Sequence, residues 1–340
     1  MKAVIHVDPY KPNAPITSVY DPANDPREIT YLRVSVTDRC NLRCRYCMPE
    51  DQDFLAPDHL LSFDEIEAVV SVLVGHGIRK IRLTGGEPLL RKGLAEFVAR
   101  LKSLDHGLEV VMTTNGMLLQ RHAEALRNSG LDRLNISLDT LRPDRFVKLS
   151  RRDGLADTLA GIEAAQAVGF ERTKVNVVVM GGVNDDEISD LLAWAHGLNL
   201  ELRFIEFMPM QSNSYGAQAE RVPVAEIRRR IEEVGELIPR ERESKVQGPA
   251  ENYVLQSTGQ RVGIIAAISL PFCATCNRIR LTSEGVLRSC LFEGGEVDVR
   301  DLVRSGNIES GLIEALDYLR RCKPPEHAGL GHGQMNRIGG

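Results

Sequence analysis

Six of the seven cysteines of this chain fall into two groups of three. The first group, Cys40, Cys44 and Cys47, lies within eight residues, directly after a predicted strand. Three thiolates on so short a loop can each bind one iron of a four-iron cube and leave the fourth iron open to an external ligand. The spacing therefore predicts a reactive iron–sulfur cluster. A zinc knuckle or three buried thiols are the alternatives, but zinc would need a fourth ligand, and the closest histidine is His59.

The second group, Cys273, Cys276 and Cys290, again offers three thiols without an evident fourth ligand. We therefore expect a second open cluster. A closed zinc site is the alternative, and the residues that could complete it are Cys322, His327 and His332.

Composition limits the kind of protein that carries these cysteines. A chain of 340 residues, 43% hydrophobic and 26% charged, can form one large domain with an appendage. The net charge of −5 argues against a general binder of nucleic acid or of membrane surfaces. No apolar stretch approaches the ~20 residues that span a bilayer, so we expect a cytoplasmic protein. In that reducing compartment, cysteines serve as metal or redox ligands more often than as disulfides.

The elements that position the cysteines follow a regular rhythm from Tyr31 onward. Short β-rich runs alternate with amphipathic helical stretches, and the helix starts are marked by signals such as Ser62 with Glu65 three residues later. Strands that alternate with helices predict a parallel sheet covered by helices, either doubly wound or barrel-like, with its chemistry at the C-terminal strand ends. The six predicted runs are 32–36, 80–83, 108–113, 133–138, 174–180 and 201–207.

Four segments are predicted along the chain. Residues 1–30 form a proline-rich arm, 31–208 the β/α units, 209–322 a C-terminal region with the second cysteine group, and 323–340 a flexible tail. The C-terminal region contains a charged helix over 224–234, a β-rich run over 261–269 and a hairpin that turns at 283–285.

Basic residues recur within the predicted strands. Alternation along a strand places Arg278 and Arg280 on one face, beside the second cysteine group. Further cations on the predicted strands are Arg33, Lys80, Arg82, Lys174 and Arg203. Any one of them could be a solvated or ion-paired surface residue. Strands of a parallel sheet are usually apolar on both faces, so the whole set predicts an anionic ligand, in the first place a polyphosphate.

Several motifs carry a resemblance to a known family. The Cys40–Cys47 spacing, with Tyr46 before the last cysteine, resembles the cluster motif of the radical S-adenosylmethionine (SAM) superfamily, and Gly85-Gly86-Glu87-Pro88 resembles its GGEP element. Within that superfamily the chain resembles the GTP 3′,8-cyclases, the molybdenum cofactor biosynthesis A proteins. The stretches that carry this second resemblance are 33–40, 81–88, 113–116, 135–139, 203–208, 273–290 and 339–340.

The resemblance implies a fold, two cofactors and a site. The fold would be an incomplete six-unit (β/α) TIM-like barrel with a C-terminal α+β region, which carries the second of two [4Fe-4S] clusters. SAM would contact Tyr46, Gly86, Ser137 and Met208. GTP would be surrounded by Arg33, Lys80, Arg82, Thr113, Lys174, Arg203, Arg278 and Arg280.

The resemblance also implies a reaction. The open iron of the first cluster would bind SAM, whose reductive cleavage gives a 5′-deoxyadenosyl radical that takes the ribose 3′ hydrogen of GTP. The 3′ radical would attack guanine C8, and Arg280 or a neighbour would help to supply a proton after reduction. Gly339 and Gly340 would reach into the active site.

Partners follow from the same resemblance: a flavodoxin or ferredoxin as electron donor, cyclic pyranopterin monophosphate synthase as the next enzyme, and a second copy of the chain in a homodimer. Two rivals stay open at this point. Another radical SAM enzyme with an auxiliary cluster, such as a peptide maturase, would share the first motif and the barrel. A non-enzymatic zinc scaffold would use both cysteine groups as closed sites.

Overall fold

The structure of the chain is a computed structural model. It describes residues 27–210, 220–241, 248–292, 294–306, 308–327, 331 and 335–339. Most of the predicted N-terminal arm, part of the predicted tail and Gly340 therefore lie outside the described residues.

The first two thirds of the described chain alternate strands and helices, as the sequence predicts. The strands are β1 (Tyr31–Ser35), β2 (Lys80–Thr84), β3 (Glu109–Thr114), β4 (Arg133–Ser137), β5 (Lys174–Gly181) and β6 (Glu201–Glu206). The helices are α1 (Phe63–Gly75), α2 (Leu94–Leu104), α3 (Leu119–Asn128), α4 (Pro143–Ser150), α5 (Leu155–Ala167) and α6 (Ile188–Gly197). Each strand pairs in parallel with the next, so the six strands lie in chain order.

Local sequence signals explain where these elements begin. Ser62 caps α1: its hydroxyl accepts from Glu65 N, and the Glu65 carboxylate accepts from Ser62 N, which confirms the predicted capping box. Pro143 stands in the first turn of α4, where its missing N–H costs nothing. Asp185 opens a 3₁₀ turn, Asp185–Glu187, that leads into α6.

The C-terminal region adds strands to both edges of this sheet. Its elements are β7 (Glu220–Arg221), α7 (Val224–Glu232), β8 (Leu237–Pro239), β9 (Glu251–Leu255), β10 (Arg261–Ile265), β11 (Arg278–Leu281), β12 (Val286–Arg288), β13 (Glu296–Asp298), α8 (Arg300–Ser305), α9 (Ile308–Arg321) and α10 (Met335–Ile338). β11 and β12 pair antiparallel, which confirms the predicted hairpin.

The two edges of the parallel sheet are taken by strands that are neighbours in sequence. β10 pairs in parallel with β6 at one edge, and β11 pairs in parallel with β1 at the other. Residues 266–277, which join β10 to β11, must therefore cross from one edge of the sheet to the other. Cys273 and Cys276 lie on this crossing segment.

Alternation along the strands separates a core face from a polar face. One set of side chains is fully buried within the apolar core; it includes Leu32, Val34, Ile81, Leu83, Leu134, Ile136, Val175, Val177, Leu202 and Phe204. The residues between them carry amide, hydroxyl and charged groups and line a cavity enclosed by the sheet. A buried parallel sheet normally has two apolar faces, so this polar face marks a ligand site.

Candidate active site

One cavity of about 330 Å³ brings the predicted site residues together. The predicted cluster ligands Cys40, Cys44, Cys47, Cys273, Cys276 and Cys290 all line it. So do the predicted SAM contacts Tyr46, Gly86, Ser137 and Met208. The predicted GTP contacts Arg33, Lys80, Arg82, Thr113, Lys174, Arg203, Arg278 and Arg280 complete its wall.

The first cysteine group lies on the loop that follows β1. The Cys40 sulfur accepts a hydrogen bond from Leu42 N at 3.4 Å and a weaker one from the Asn115 side chain at 3.9 Å. Burial raises the pKa of Cys40 to about 11, with Glu87 adding to the effect, and burial raises the pKa of Cys47 to about 12. Thiols in this environment keep their protons until a metal displaces them, so cluster binding here must release protons.

Two glycines allow the turn after β2 to pack closely against residues 37–39, which lead into this loop. A Cβ on Gly85 or Gly86 would lie under 3.0 Å from backbone atoms of residues 37–39. Gly86 N donates to Thr37 O at 2.7 Å and Glu87 N donates to Arg39 O at 2.7 Å. The close approach therefore requires residues without side chains and fixes the start of the cluster loop.

The Glu87 carboxylate ties the same turn to the end of β3. It is fully buried and accepts hydrogen bonds from Thr114 Oγ1 and Asn115 N, both at 2.7 Å, and from Leu89 N at 3.1 Å. Burial raises its pKa to about 7 in spite of these hydrogen bonds. Because Asn115 also contacts Cys40, Glu87 positions the cluster loop through its neighbour.

Tyr46 is held by a carboxylate that the sequence analysis missed. Its hydroxyl donates to Asp139 at 2.7 Å, and the other Asp139 oxygen accepts from Val178 N at 2.8 Å. Burial raises the pKa of Asp139 to about 6. The bond connects the cluster loop to the C-terminal ends of β4 and β5, next to Ser137.

Two amides in the cavity were also missed. Asn135 precedes Ser137 by two residues on β4, and Asn176 follows Lys174 by two on β5, so strand alternation could have found both. The Asn176 side-chain oxygen is buried and has no hydrogen-bond partner among the described residues. A buried, unpaired acceptor that lines a cavity is available to a ligand.

The second cysteine group lies in a basic environment. Burial raises the pKa of Cys276, but Arg278 and Lys323 outweigh it and bring the pKa to about 6. Arg278 donates to the Cys276 sulfur at 3.7 Å, and the Lys323 ammonium donates to Arg278 O at 2.6 Å and to Ser289 O at 2.8 Å. These cations favour the thiolate form that binds iron. Lys323 was not predicted as a site residue.

A closed zinc site gains no support from the neighbours of these cysteines. The His327 ring is hydrogen-bonded to Ala267 O at 2.7 Å and stacks on Phe292 at 4.0 Å. His332 lies outside the described residues.

Three cations of the cavity wall, each buried or partly buried, form ion pairs with carboxylates. Lys80 pairs with Glu109 at 2.9 Å, while Glu201 accepts from Lys174 at 2.6 Å and from Arg203 at 3.0 Å. Burial lowers the pKa of Lys80 and of Lys174 to about 7. Neither glutamate was predicted as a site residue, although Glu201 lines the cavity at a position that strand alternation could have found.

The last described residues enter this cavity. Gly339 O accepts from Arg33 Nε at 3.0 Å and from Arg280 at 2.7 Å, and Ile338 O accepts from Arg280 at 3.1 Å. Gly339 has a φ of +68°, and a Cβ there would lie under 3.0 Å from the Thr84 hydroxyl. The end of the chain thus contacts two of the predicted GTP ligands.

Comparison with known proteins identifies the family. Residues 34–195 match the family model of the radical SAM superfamily, and residues 200–329 match the model named Molybdenum Cofactor Synthesis C. A GTP 3′,8-cyclase from Heliobacterium modesticaldum is 44% identical over 322 residues, covering 92% of this chain and 98% of that protein. A GTP 3′,8-cyclase from Streptomyces coelicolor is 47% identical over 281 residues, covering 82% of each. The chain belongs to the GTP 3′,8-cyclase family.

As a radical SAM protein, this member of the GTP 3′,8-cyclase family uses a [4Fe-4S] cluster and SAM. Its fold is also similar to that of SuiB from Streptococcus suis, crystallised with SAM, at a TM-score of 0.61 and 13% identity, covering 87% of this chain and 72% of that one. The similarity confirms the predicted α/β fold. Identity this low says nothing about the substrate, so the fold alone does not separate a GTP cyclase from the peptide-maturase rival.

Proposed function

We propose that this chain converts GTP to (8S)-3′,8-cyclo-7,8-dihydroguanosine 5′-triphosphate, the first step of molybdenum cofactor biosynthesis. The observation that carries the proposal is one cavity, which is lined by two three-thiol groups and by a wall of buried and partly buried cations. Glu109 and Glu201 balance only part of the charge of these cations, and a peptide substrate would bring no polyphosphate to balance the rest. A nucleoside triphosphate supplies both the negative charge and a base that can reach the second cysteine group.

Two clusters fit the residues present. Cys40, Cys44 and Cys47 would hold the cluster that binds SAM, and Cys273, Cys276 and Cys290 the second. Each set offers three thiols that line the cavity and leaves one iron open to a ligand. When bound, the first cluster and SAM supply the deoxyadenosyl radical. Tyr46, Gly86, Ser137 and Met208 would then orient SAM, with the Tyr46 ring fixed by Asp139.

GTP would lie between the two clusters. Lys80, Arg82, Thr113, Lys174 and Arg203 would bind its phosphates towards the N-terminal strand ends, while Arg33, Arg278 and Arg280 lie near the second cysteine group. Burial, with Arg33 and Arg278 nearby, lowers the pKa of Arg280 well below its usual value. Arg280 lines the cavity beside the second cysteine group and would help to supply a proton at the substrate.

The remaining features follow from the same assignment. The fold would be the incomplete six-unit barrel, with the C-terminal α+β region closing its open side across residues 266–277. Gly339 and Gly340 would support turnover from within the cavity. A flavodoxin or ferredoxin would supply electrons, cyclic pyranopterin monophosphate synthase would take the product, and two copies would form a cytoplasmic homodimer. No helix among the described residues is long and apolar enough to cross a membrane.

The test is anaerobic incubation of the reconstituted protein with SAM, dithionite and GTP, followed by mass spectrometry. We expect both 5′-deoxyadenosine and the cyclised nucleotide. Arg278→Ala and Arg280→Ala should lose the nucleotide product, whereas Arg121→Ala, at an exposed position on α3, should keep it. If deoxyadenosine forms while GTP stays unchanged, the assignment of GTP as the substrate is wrong, and the peptide-maturase alternative is favoured.

A further inference from the structure

Tyr31 is a cavity residue that the function proposed above does not use. It is the first residue of β1, its side chain is 2% exposed, and it lines the cavity. Strand pairing places it beside Lys80 on β2 and Arg278 on β11. A buried tyrosine in a core usually packs against apolar neighbours, but this one faces cations.

The Tyr31 hydroxyl is one of two groups that hold the Arg82 guanidinium in place, and it also interacts with Arg33. It accepts a hydrogen bond from Arg82 Nε, and Thr113 Oγ1 on β3 accepts another from an Arg82 terminal nitrogen at 2.9 Å. Arginine has five N–H donors in one plane, so these two bonds leave three for a ligand in the cavity. Hydroxyls on the strands to either side thus fix the direction in which Arg82 presents those donors.

Charge explains why an oxygen is needed at this position. The strands β1, β2 and β11 read YLRVS, KIRLT and RIRL, and none contains an Asp or Glu. Among these three strands, Tyr31 therefore carries the acidic oxygen group of the cavity wall, while Glu109 on β3 pairs with Lys80 and Glu201 on β6 pairs with Lys174 and Arg203. The Lys80 ammonium lies 5.2 Å from the ring centroid and the Arg82 guanidinium 5.9 Å, so the ring face also stabilises both cations.

The electrostatics agree with this geometry. Burial raises the pKa of Tyr31, but Arg82, Lys80 and Arg33 outweigh burial and bring the pKa down to about 7. Arg203, from β6, also interacts with the phenol. The oxygen is therefore a stronger hydrogen-bond acceptor than an ordinary phenol.

We propose that Tyr31 is a positioning residue for the substrate: together with Thr113 it orients the Arg82 guanidinium so that its remaining donors meet the triphosphate. The inference rests on the proposed function, since it takes a nucleoside triphosphate as the anion. Tyr31 itself need not touch the nucleotide.

The test compares Tyr31→Phe, which keeps the ring and removes the oxygen, with Tyr253→Phe as a matched control. The Tyr253 hydroxyl donates to Glu251 at 2.7 Å and does not line the cavity. In the reconstituted enzyme, Tyr31→Phe should raise the KM for GTP about tenfold, the scale expected for a lost hydrogen bond to a charged group, with kcat changed less than about twofold. The inhibition constant of inorganic tripolyphosphate, which lacks a base, should rise by a similar factor. Tyr253→Phe should change neither constant.

A double-mutant cycle separates positioning from a general effect on the fold. In an Arg82→Ala background, Tyr31→Phe should raise the KM for GTP clearly less than it does in the wild-type background, because the guanidinium that it mainly positions is gone. Tyr31→His, which retains an acceptor on a ring, should recover part of the affinity, and it provides a second variant if Tyr31→Phe loads less iron.

Three results would overturn the inference: unchanged constants in Tyr31→Phe, an equal loss in the Arg82→Ala background, or a loss for GTP but none for tripolyphosphate. In each of these cases wild-type turnover of GTP leaves the proposed function standing. If the wild-type protein neither turns over GTP nor binds tripolyphosphate, the proposed function is wrong, and the inference about Tyr31, which rests on it, is wrong as well.

Discussion

Replacing Gly86 with alanine is expected to remove the proposed first cluster while leaving the proposed second cluster in place. The added Cβ would lie under 3.0 Å from three backbone atoms, among them Asp38 O at 2.7 Å. Ordinary van der Waals contact at these glycines begins at 3.4 Å, so the backbone of residues 38–39 must move by on the order of 1 Å. That backbone leads directly into Cys40. No flexible side chain can absorb the shift.

The cost follows from the same geometry. Forcing a methyl group into a packed site typically costs about 1–3 kcal/mol, and here the strain falls on the loop that carries three ligands. Gly75→Ala is the matched control, because a Cβ there meets nothing within 4 Å. At that position, near the end of α1, alanine should stabilise the helix slightly.

The assay is iron and sulfide per chain after anaerobic reconstitution, together with reductive cleavage of SAM. Gly86→Ala should hold about half the iron of the wild type and give little 5′-deoxyadenosine, whereas Gly75→Ala should match the wild type. A Gly86→Ala protein with a full iron load and normal SAM cleavage would refute the argument that this close contact positions the loop.

Three further predictions concern the cavity wall. Burial lowers the pKa of Lys80 and Lys174 to about 7, so both side chains lose charge as the pH rises above 7. Calorimetry should therefore show that the affinity for GTP falls between about pH 7.5 and 8.5, where the phosphates are already ionised. A flat or rising affinity would contradict this. A Cβ on Gly263 would lie 3.0 Å from Arg203 Cγ, so Gly263→Ala should displace the flexible Arg203 side chain. The KM for GTP should rise a few-fold while the iron content stays unchanged. A normal KM would show that Arg203 is not needed in its present position. Asn176→Ala removes an oxygen that accepts no hydrogen bond from a described residue. Thermal stability should therefore be unchanged while the affinity for SAM or GTP falls. Unaltered affinity for both would rule out a ligand at that oxygen.

The order and position of the main strands could be read from the sequence because their apolar residues follow a simple period. The predicted run 80–83 became β2 (Lys80–Thr84), and the run 133–138 became β4 (Arg133–Ser137). Period-two alternation also places Arg278 and Arg280 on one face, and both line the cavity. These features depend on local spacing, which a single sequence displays directly.

Features that depend on distant pairs could not be read in this way. Asp139 holds Tyr46 from 93 residues away, and Arg280 meets Gly339 across 59 residues. No local pattern indicates such a partner. The placement of β10 and β11 at opposite edges of the sheet belongs to the same class, because strand order is set by tertiary packing rather than by the composition of either strand.

The counter-ions of the cavity were missed for a different reason. Glu201 and Tyr31 obey the same alternation as the cations, but a search for an anion site directs attention to basic residues alone. Several cations that lie together in a cavity need hydrogen-bond acceptors from the protein itself. Each cation on a buried strand should therefore prompt a search for an acidic or hydroxyl side chain at the paired positions of the neighbouring strands.

The central claim is that this chain removes the ribose 3′ hydrogen of GTP by means of SAM, and GTP deuterated at C3′ tests it most directly. Incubated anaerobically with reconstituted enzyme, SAM and dithionite, this substrate should give 5′-deoxyadenosine one mass unit heavier, together with the cyclised triphosphate. Deoxyadenosine that carries no deuterium, with GTP recovered intact, would contradict the account.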